Sequence, residues 1–431
     1  MSVLPFITSD SKLFNQVKEL LSEIKPGNME LAPLSEMHDA LDFLNIEMPD
    51  LVFINYSDPV IDAFDLTNHI LADSWLHHGG IIALYKDYET IKAIEKIVGA
   101  NIIISLSFDQ IKNNLSKILT IINNNRRFLF QRAIGTDLIS TISGSYYLNN
   151  DPIESSCYAN LICNFLFNTD KIDIDSKSTI NMALNELLIN AIEHGNCGIT
   201  YEEKSAWLEN NSFMEELIKM KCQDPIVRQR RVLFEYTITP EKSSFLISDE
   251  GSGFDWRNIK DATAEENIFE EHGRGILLSK KFTKNFAYNE KGNEVTFEIE
   301  HKKDGTNAVP ALFENIEPVT FKKGDYVFQE GETSDFLYYI VKGKYSVILN
   351  GTVVSSLSPE DIFMGEMSFL LNNRRSATVC AQTSGKLIKI SKKDFVKAIK
   401  NQPHYALFLS RLLAQRLQRG NVTQSIENRP G

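Results

Sequence analysis

The chain has 431 residues, 43% hydrophobic and 24% charged, ordinary values for a folded globular protein of about three domains. Its formal net charge of -12 argues against a dedicated nucleic-acid binder, which would present a basic face. No apolar run approaches the ~20 residues that span a bilayer, and the start Met1-Ser2-Val3-Leu4-Pro5 lacks the charged segment of a signal peptide, so no membrane partner and a cytoplasmic location are expected. Five cysteines (Cys157, Cys163, Cys197, Cys222 and Cys380) are odd in number and lack metal-ligand spacing, which fits reduced packing residues.

Residues 1–125 alternate short apolar runs with helical patterns. Val3–Thr8, Asp50–Asn55, Ile81–Tyr85 and Ile102–Ser105 read as buried strands. Lys12–Ile24, Glu36–Leu44, Ala63–Ala72, Tyr88–Val98 and Phe108–Asn124 read as helices. This alternation predicts a doubly wound parallel sheet with its crevice at the carboxyl ends of the strands. The layout resembles a response-regulator receiver. In that family an acidic pair follows the first strand, a phosphoacceptor Asp ends the third, and a Lys ends the fifth. Here those positions hold Thr8-Ser9 with only Asp10 acidic, Asn55, and Ser105. Asn cannot form an acyl phosphate, so the resemblance implies a degenerate receiver that docks partners or dimerises. A displaced acid such as Asp58 is the disfavoured alternative.

Residues 126–144 read as a connector, either a signalling helix or a packed linker. No histidine lies between His78 and His194. A histidine autokinase needs its phosphoacceptor His ahead of the ATP domain, so that class is disfavoured.

From residue 145 the pattern changes. Ser145–Leu148 reads as a strand, and Glu154–Phe167 and Ser176–His194 as helices. In the second helix Leu184, Leu187, Leu188, Ala191 and Ile192 recur at helical spacing, and Glu186 and Asn190 share one face. A carboxylate there can polarise a nucleophile, and an amide oxygen can ligate Mg²⁺. For this stretch alone an ordinary solvated Glu and Asn fit equally well. Thr200–Met220 reads as an extra helical segment with an apolar face of Trp207, Leu208, Phe213, Leu217 and Ile218. It serves either as a partner surface or as cover for its own sheet. Strands Val232–Thr239 and Ser244–Ser248 lead to Asp249 and the turn Gly251-Ser252-Gly253. An acidic segment over 255–272 suits a mobile lid. Gly273-Arg274-Gly275 then precedes an apolar run, where glycines let backbone amides approach an anion. Gly292 opens a strand carrying Thr296.

That ordered set resembles the GHKL ATPase/kinase superfamily over residues 145–300, most closely its anti-sigma-factor serine kinase branch. The resemblance implies Glu186 as general base and Asn190 as the Mg²⁺ ligand. It implies Asp249 as acceptor from the adenine amino group, Gly251 and Gly253 as the first glycine box, and Gly273, Arg274 and Gly275 beside the phosphates. Thr296 would supply a hydroxyl at the adenine end.

Beyond His301–Thr306, glycine turns at Gly324, Gly331, Gly343 and Gly351 punctuate β-rich runs, the pattern of a β-roll. Gly365-Glu366-Met367-Ser368 is followed nine residues after the Glu by Arg375-Ser376-Ala377-Thr378. This resembles the cyclic-nucleotide-binding domain over 311–420. The resemblance implies that Arg375 neutralises the exocyclic phosphate at the helix end, that Glu366 takes the ribose hydroxyl, and that Gly365, Met367, Ser368 and Ser376 line the site. It favours cAMP over cGMP. A stripe of Leu407, Leu409, Leu412, Leu413 and Leu417 marks a last helix, either a lid or plain core. Only twelve residues follow Arg419, too few for a helix-turn-helix.

The expected fold class is therefore α/β and α+β multidomain. A doubly wound receiver-like domain (1–125) and a connector (126–144) precede a GHKL α/β sandwich (145–303) and a C-terminal β-roll, or jelly-roll, with helices (304–431). The expected function is a cyclic-nucleotide-regulated serine/threonine protein kinase using ATP, Mg²⁺ and cAMP or cGMP on a protein partner, with homodimerisation open. The rivals are a non-catalytic switch that sequesters a partner such as a sigma factor, and a slow ATPase.

Overall fold

Apolar runs without alternation build the first sheet, because a parallel sheet covered on both faces buries every side chain. The structure, a computed structural model, describes residues 2–24, 29–72, 79–129, 141–210, 213–256, 280, 282–302, 306–307 and 309–414. Strands β1 (Ser2–Ile7), β2 (Met29–Leu34), β3 (Leu51–Asn55), β4 (Gly80–Tyr85) and β5 (Ile102–Ser107) are all parallel, in the order β2-β1-β3-β4-β5. Alternate residues of β3 go to opposite faces. Leu51 and Phe53 join α1 (Ser11–Ile24) and α5 (Phe108–Asn124). Val52 and Ile54 join α2 (Met37–Glu47), α3 (Ala63–Ala72) and α4 (Tyr88–Ile94). The sheet is thus doubly wound, as expected. β2 is an addition to the sequence reading. It is a half-exposed edge strand carrying Pro33, whose missing N–H an edge tolerates.

The opposite edge, β5, is closed by the next unit. Asn160 Nδ2 donates to Ile103 O (2.8 Å) and Asn164 Nδ2 to Ile102 O (3.1 Å). Lys177 Nζ donates to Ala100 O (2.8 Å). Asn160 and Asn164 lie one turn apart on α7 (Pro152–Asn168), so one helix face satisfies carbonyls that an open edge would leave to solvent. The α1/α5 face and the second unit share one continuous hydrophobic cluster.

That second unit has an antiparallel sheet, β6-β7-β8-β10-β9. Its strands are β6 (Ile142–Leu148), β7 (Val232–Ile238), β8 (Lys242–Ser248), β9 (Lys284–Tyr288) and β10 (Glu294–Glu300). Here burial does alternate, and the buried face packs on α7 and α8 (Ile174–Asn190). Phe234, Phe245 and Phe297 stack in a row across three strands at 6.1 and 5.2 Å between rings. The connector begins as α6 (Arg126–Leu129), whose Phe128 packs edge-on against Phe165 and Tyr236. Of the rest of the expected connector, 130–140 lies outside the described residues, and Ile142, Ser143 and Gly144 already belong to strand β6. The segment after α8 forms two helices rather than one, α9 (Tyr201–Asn210) and α10 (Met214–Lys221), followed by α11 (Pro225–Gln229). Leu217 and Ile218 are buried, Trp207 is half-buried, and Leu208 and Phe213 face solvent.

The C-terminal unit holds two four-stranded sheets, β11-β18-β13-β16 and β12-β17-β14-β15. Their strands are β11 (Val319–Phe321), β12 (Tyr326–Phe328), β13 (Phe336–Lys342), β14 (Tyr345–Leu349), β15 (Thr352–Leu357), β16 (Phe363–Met364), β17 (Thr378–Ala381) and β18 (Gly385–Ser391). Helices α12 (Glu366–Leu370), α13 (Lys392–Asn401) and residues 404–414 complete it. Of the expected leucine stripe, Leu409 and Leu412 are buried, whereas Leu407 is exposed and Leu417 lies outside the described residues. Among the described residues no helix is long and apolar enough to cross a membrane.

Candidate functional site

Helix α8 starts at Asp173, whose carboxylate accepts from Ser176 N, and carries Glu186 and Asn190 on one face near its end. Asn190 Nδ2 donates to Glu186 Oε1 at 3.4 Å. The helix then widens into a π-helical turn, Ala191–Asn196, a feature that often marks functional sites. The turn presses Gly195 onto Asp249: a Cβ built on Gly195 would stand 2.3 Å from Asp249 Cγ. A Cβ on Gly251 would meet Gly195 O at 2.1 Å.

Asn196 fastens this contact. It is fully buried, its Oδ1 accepts from Glu250 N (2.9 Å), and its Nδ2 donates to Asn150 Oδ1 (2.8 Å). Its backbone carbonyl accepts from Arg230 (2.7 Å). Asn293 does the same from the other side. Its carbonyl accepts from Asp249 N (2.9 Å), and its Nδ2 donates to Asp249 O (2.6 Å).

Burial pushes the Asp249 carboxyl up to about 6, against the opposing pull of Gly251 N–H, Lys291 and Arg230. Burial also raises the Tyr288 phenol well above its usual range, and the nearby Tyr201, Asp249 and Glu186 add to the effect. Tyr201 is raised by burial and then by Glu186 and Glu193. Tyr201, Asp249 and Glu186 thus all lie close enough to Tyr288 to act on it. Phe254 packs edge-on to Tyr288 at 5.2 Å, and Trp256 stacks on it at 6.1 Å.

The structure thus gathers Glu186, Asn190, Asp249 and Gly251. Gly253, at φ 77°, sits in the adjoining turn against Lys291 O. Gly273, Arg274, Gly275 and nearly all of the expected lid lie outside the described residues. Thr296 requires a correction. It pairs with Leu246 in register, one step off the buried Val295 and Phe297. Strand alternation therefore turns its hydroxyl to the outer face, into a shallow depression with Glu235, Asn285 and Glu298. The residue bordering Asp249 on this hairpin is Asn293. The sequence reading missed Asn293, Asn196, Tyr201 and Tyr288. The Gly195-Asn196 and Gly292-Asn293 pairs were the available signals.

The C-terminal unit gathers a second set. Arg375 is 3% exposed. Its guanidinium donates to Gly365 O (2.9 Å) and Ser368 Oγ (3.1 Å), and stacks over Phe328 at 4.2 Å. Burial lowers its pKa. Its Nε is buried with no hydrogen-bond partner, which suits an incoming anion. Gly365, at φ 75°, leaves no room for a Cβ, which would lie 2.3 Å from the guanidinium. Glu366 and Ser368 are buried beside it, while Met367 and Ser376 are exposed.

At the receiver-like crevice, Asp58 rather than Asn55 is the central carboxylate. It accepts from Thr8 Oγ1, Ser9 N, Ser9 Oγ, Val60 N and Ile61 N at 2.6–3.0 Å, and from Asn55 Nδ2 at 3.4 Å. Among the described residues no cluster of three or more His, Cys, Asp or Glu suits a metal ion.

Residues 163–299 match the family described as "Histidine kinase-like ATPase domain", and residues 318–402 match "Cyclic nucleotide-binding domain". The chain therefore carries both domain types behind a parallel α/β sheet consistent with a receiver-like domain. Among curated proteins, the CRP-like cAMP-activated global transcriptional regulator of Mycobacterium tuberculosis is 30% identical over 120 residues, covering 27% of this chain and 53% of that protein. The cGMP-dependent protein kinase of Plasmodium berghei is 29% identical over 144 residues, 33% of this chain and 16% of that one. The crystal structure of the Thermus thermophilus Catabolite Activator Protein aligns at 25% identity with a TM-score of 0.25, over 27% of this chain and 56% of that one. The chain spans about half the length of the first of these relatives.

Proposed function

We propose that the chain is a cytoplasmic, cyclic-nucleotide-regulated signalling protein whose ATP domain transfers γ-phosphate to a serine or threonine of a partner protein, such as an anti-sigma-factor antagonist. One observation carries this reading: the turn that ends the Glu186–Asn190 helix presses Gly195 onto the half-buried Asp249, and Tyr288 lies close to both carboxylates. Mg²⁺-ATP, when bound, supplies the phosphoryl group and its leaving group. Asp249 accepts from the amino edge of adenine. Asn190 offers an amide oxygen of the kind that suits a hard cation. Glu186 takes the proton of the attacking hydroxyl. Arg274, with Gly273 and Gly275, is assigned to the phosphates on its sequence pattern.

In the C-terminal unit Arg375 takes the cyclic phosphate and Glu366 the ribose hydroxyl. The unpartnered Nε of Arg375 supports this assignment, and cAMP is the favoured ligand over cGMP. The test is radiolabel transfer from ATP to candidate partner proteins. Glu186→Ala should lower the rate about 10²- to 10⁴-fold with ATP still bound. Transfer at the wild-type rate removes Glu186 as the base. Tight Mg²⁺-ATP binding without turnover in the wild type would instead identify a non-catalytic switch.

A further inference from the structure

The end of α2 is held by a residue more than 360 positions away. Arg411 donates to Ile46 O (3.0 Å) and Glu47 O (3.1 Å), the carbonyls that a helix C-terminus leaves without intrahelical partners. A cation at that end also meets the negative pole of the helix dipole. Beside it Tyr405 is buried in a small cluster with Met48, Leu312 and Phe408. Met48 closes α2 in the left-handed region, at φ 47°, a conformation a β-carbon resists.

The same helical segment, 404–414, faces the opposite way as well. Leu409 and Leu412 share a core with Phe369 of α12, the helix that carries Glu366 and Ser368. Arg375 is bonded to Gly365 O and Ser368 Oγ of that segment. An anion received at the unpartnered Nε of Arg375 would draw the guanidinium against these bonds, which links binding to the helix against which Leu409 and Leu412 pack.

On the α2 side the contact opens onto a cavity of about 480 Å³ lined by Phe43, Glu47, Met48, Leu119, Arg126 and Leu129, among others. The corner therefore has room to shift. Its far wall is α6, whose Phe128 packs on Phe165 and Tyr236 of the ATP domain.

We infer that Arg411 and Tyr405 form a clamp on the C-terminus of α2, and that cyclic nucleotide at Arg375 releases it and changes ATP affinity through α6. The inference rests on the nucleotide sites of the proposed function and adds the route between them.

The test uses the full chain. Hydrogen–deuterium exchange over residues 44–51 is followed with and without saturating cAMP or cGMP, and Mg²⁺-ATP affinity is titrated in parallel. In the wild type, exchange over 44–51 rises and ATP affinity changes by roughly fivefold or more. In Arg411→Met, exchange over 44–51 is high from the start and the ATP response disappears. Bound cyclic nucleotide with unchanged or reduced exchange over 44–51 overturns the clamp and leaves the proposed function standing. So does an Arg411→Met variant with the full wild-type ATP response. An exchange response without ATP binding keeps the release step but overturns the ATP part of both readings. Absence of binding by either cyclic nucleotide overturns both.

Discussion

Gly195 and Asp249 touch so closely that no side chain larger than hydrogen fits between them: a Cβ on Gly195 would lie 2.3 Å from the carboxylate carbon. The contact joins the end of the Glu186 helix to the head of the glycine turn. Gly195→Ala therefore has to displace either Asp249 or the π-helical turn. Overpacking of this kind costs ~1–3 kcal/mol. The variant should denature at lower urea and bind ATP at least about tenfold more weakly, since ~1.4 kcal/mol of misplacement suffices for that. Unchanged ATP affinity by calorimetry would show that the contact plays no part in the site.

Asp249 carries a stability cost that the proposed adenine contact would account for. Its folded pKa of about 6 lies above the ordinary value of 3.8, so the folded state binds the proton more tightly. The associated stability is complete below the unfolded value and is lost as pH rises through about 6. Asp249→Asn removes this titration while keeping an acceptor for Gly251 N–H. The variant should be more stable than wild type near neutral pH by ~1 kcal/mol, a figure discounted because the group is partly open to water. It should also bind ATP poorly. Urea titrations from about pH 4 to about pH 8 test this, because the difference should grow across the lower half of that range. A difference that stays constant with pH assigns the effect to something other than this carboxyl.

The doubly wound sheet was legible because β3, β4 and β5 are short, continuous apolar runs between helical patterns. β2 was not, because an edge strand buries little and its sequence shows neither a run nor an alternation. Glu186 and Asn190 were legible as a pair through helical spacing, and Asp249 through its place between an apolar run and a glycine turn. Thr296 failed for a reason of parity. A strand position one residue off turns a side chain to the other face, and the alternation of Val295, Phe297 and Ile299 with Glu294, Thr296 and Glu298 already put Thr296 on the polar face, a signal the motif match overrode. Asn196 and Tyr288 act through contacts with segments more than about 30 residues away, which no local pattern reports. The docking of α7 on β5 was also invisible, since Asn160 and Asn164 read as two ordinary polar positions of an amphipathic helix.

Asp58 should behave as a structural latch and not as a phosphate acceptor. Burial works to raise its pKa, but hydrogen bonds from Ile61, Ser9 and Val60 outweigh it and hold the carboxyl below its usual value. Its stabilising contribution is therefore present above the unfolded value of 3.8 and fades as pH falls through the lower folded value. Asp58→Asn keeps the volume but replaces one acceptor oxygen with a donor that faces other donors. A loss of ~1–2 kcal/mol in urea denaturation at neutral pH is expected, smaller in acid. Acetyl phosphate should add no mass to the wild-type receiver-like domain, because Asn55 has no carboxylate to form an acyl phosphate and both oxygens of Asp58 are engaged. Mass spectrometry showing a phosphorylated Asp58 would reverse this assignment.

Arg375 has an observed bracing role and a proposed binding role that a single substitution can separate. It braces the carbonyls of Gly365 and Phe336, and its fork is the group best placed to receive a cyclic phosphate. Arg375→Lys keeps a positive charge but loses the planar fork. Hydrogen bonds to charged groups are worth ~1.5–3 kcal/mol, so cyclic-nucleotide affinity should fall about 10- to 100-fold. A purely structural arginine predicts a different result. The variant would then melt earlier than wild type, yet saturating cAMP or cGMP would raise its melting temperature by the wild-type amount. Phosphate recognition predicts that this ligand-induced increment shrinks or vanishes, because stabilisation by a ligand scales with its concentration relative to Kd. Thermal melts of both proteins at a fixed cyclic-nucleotide concentration decide between the two.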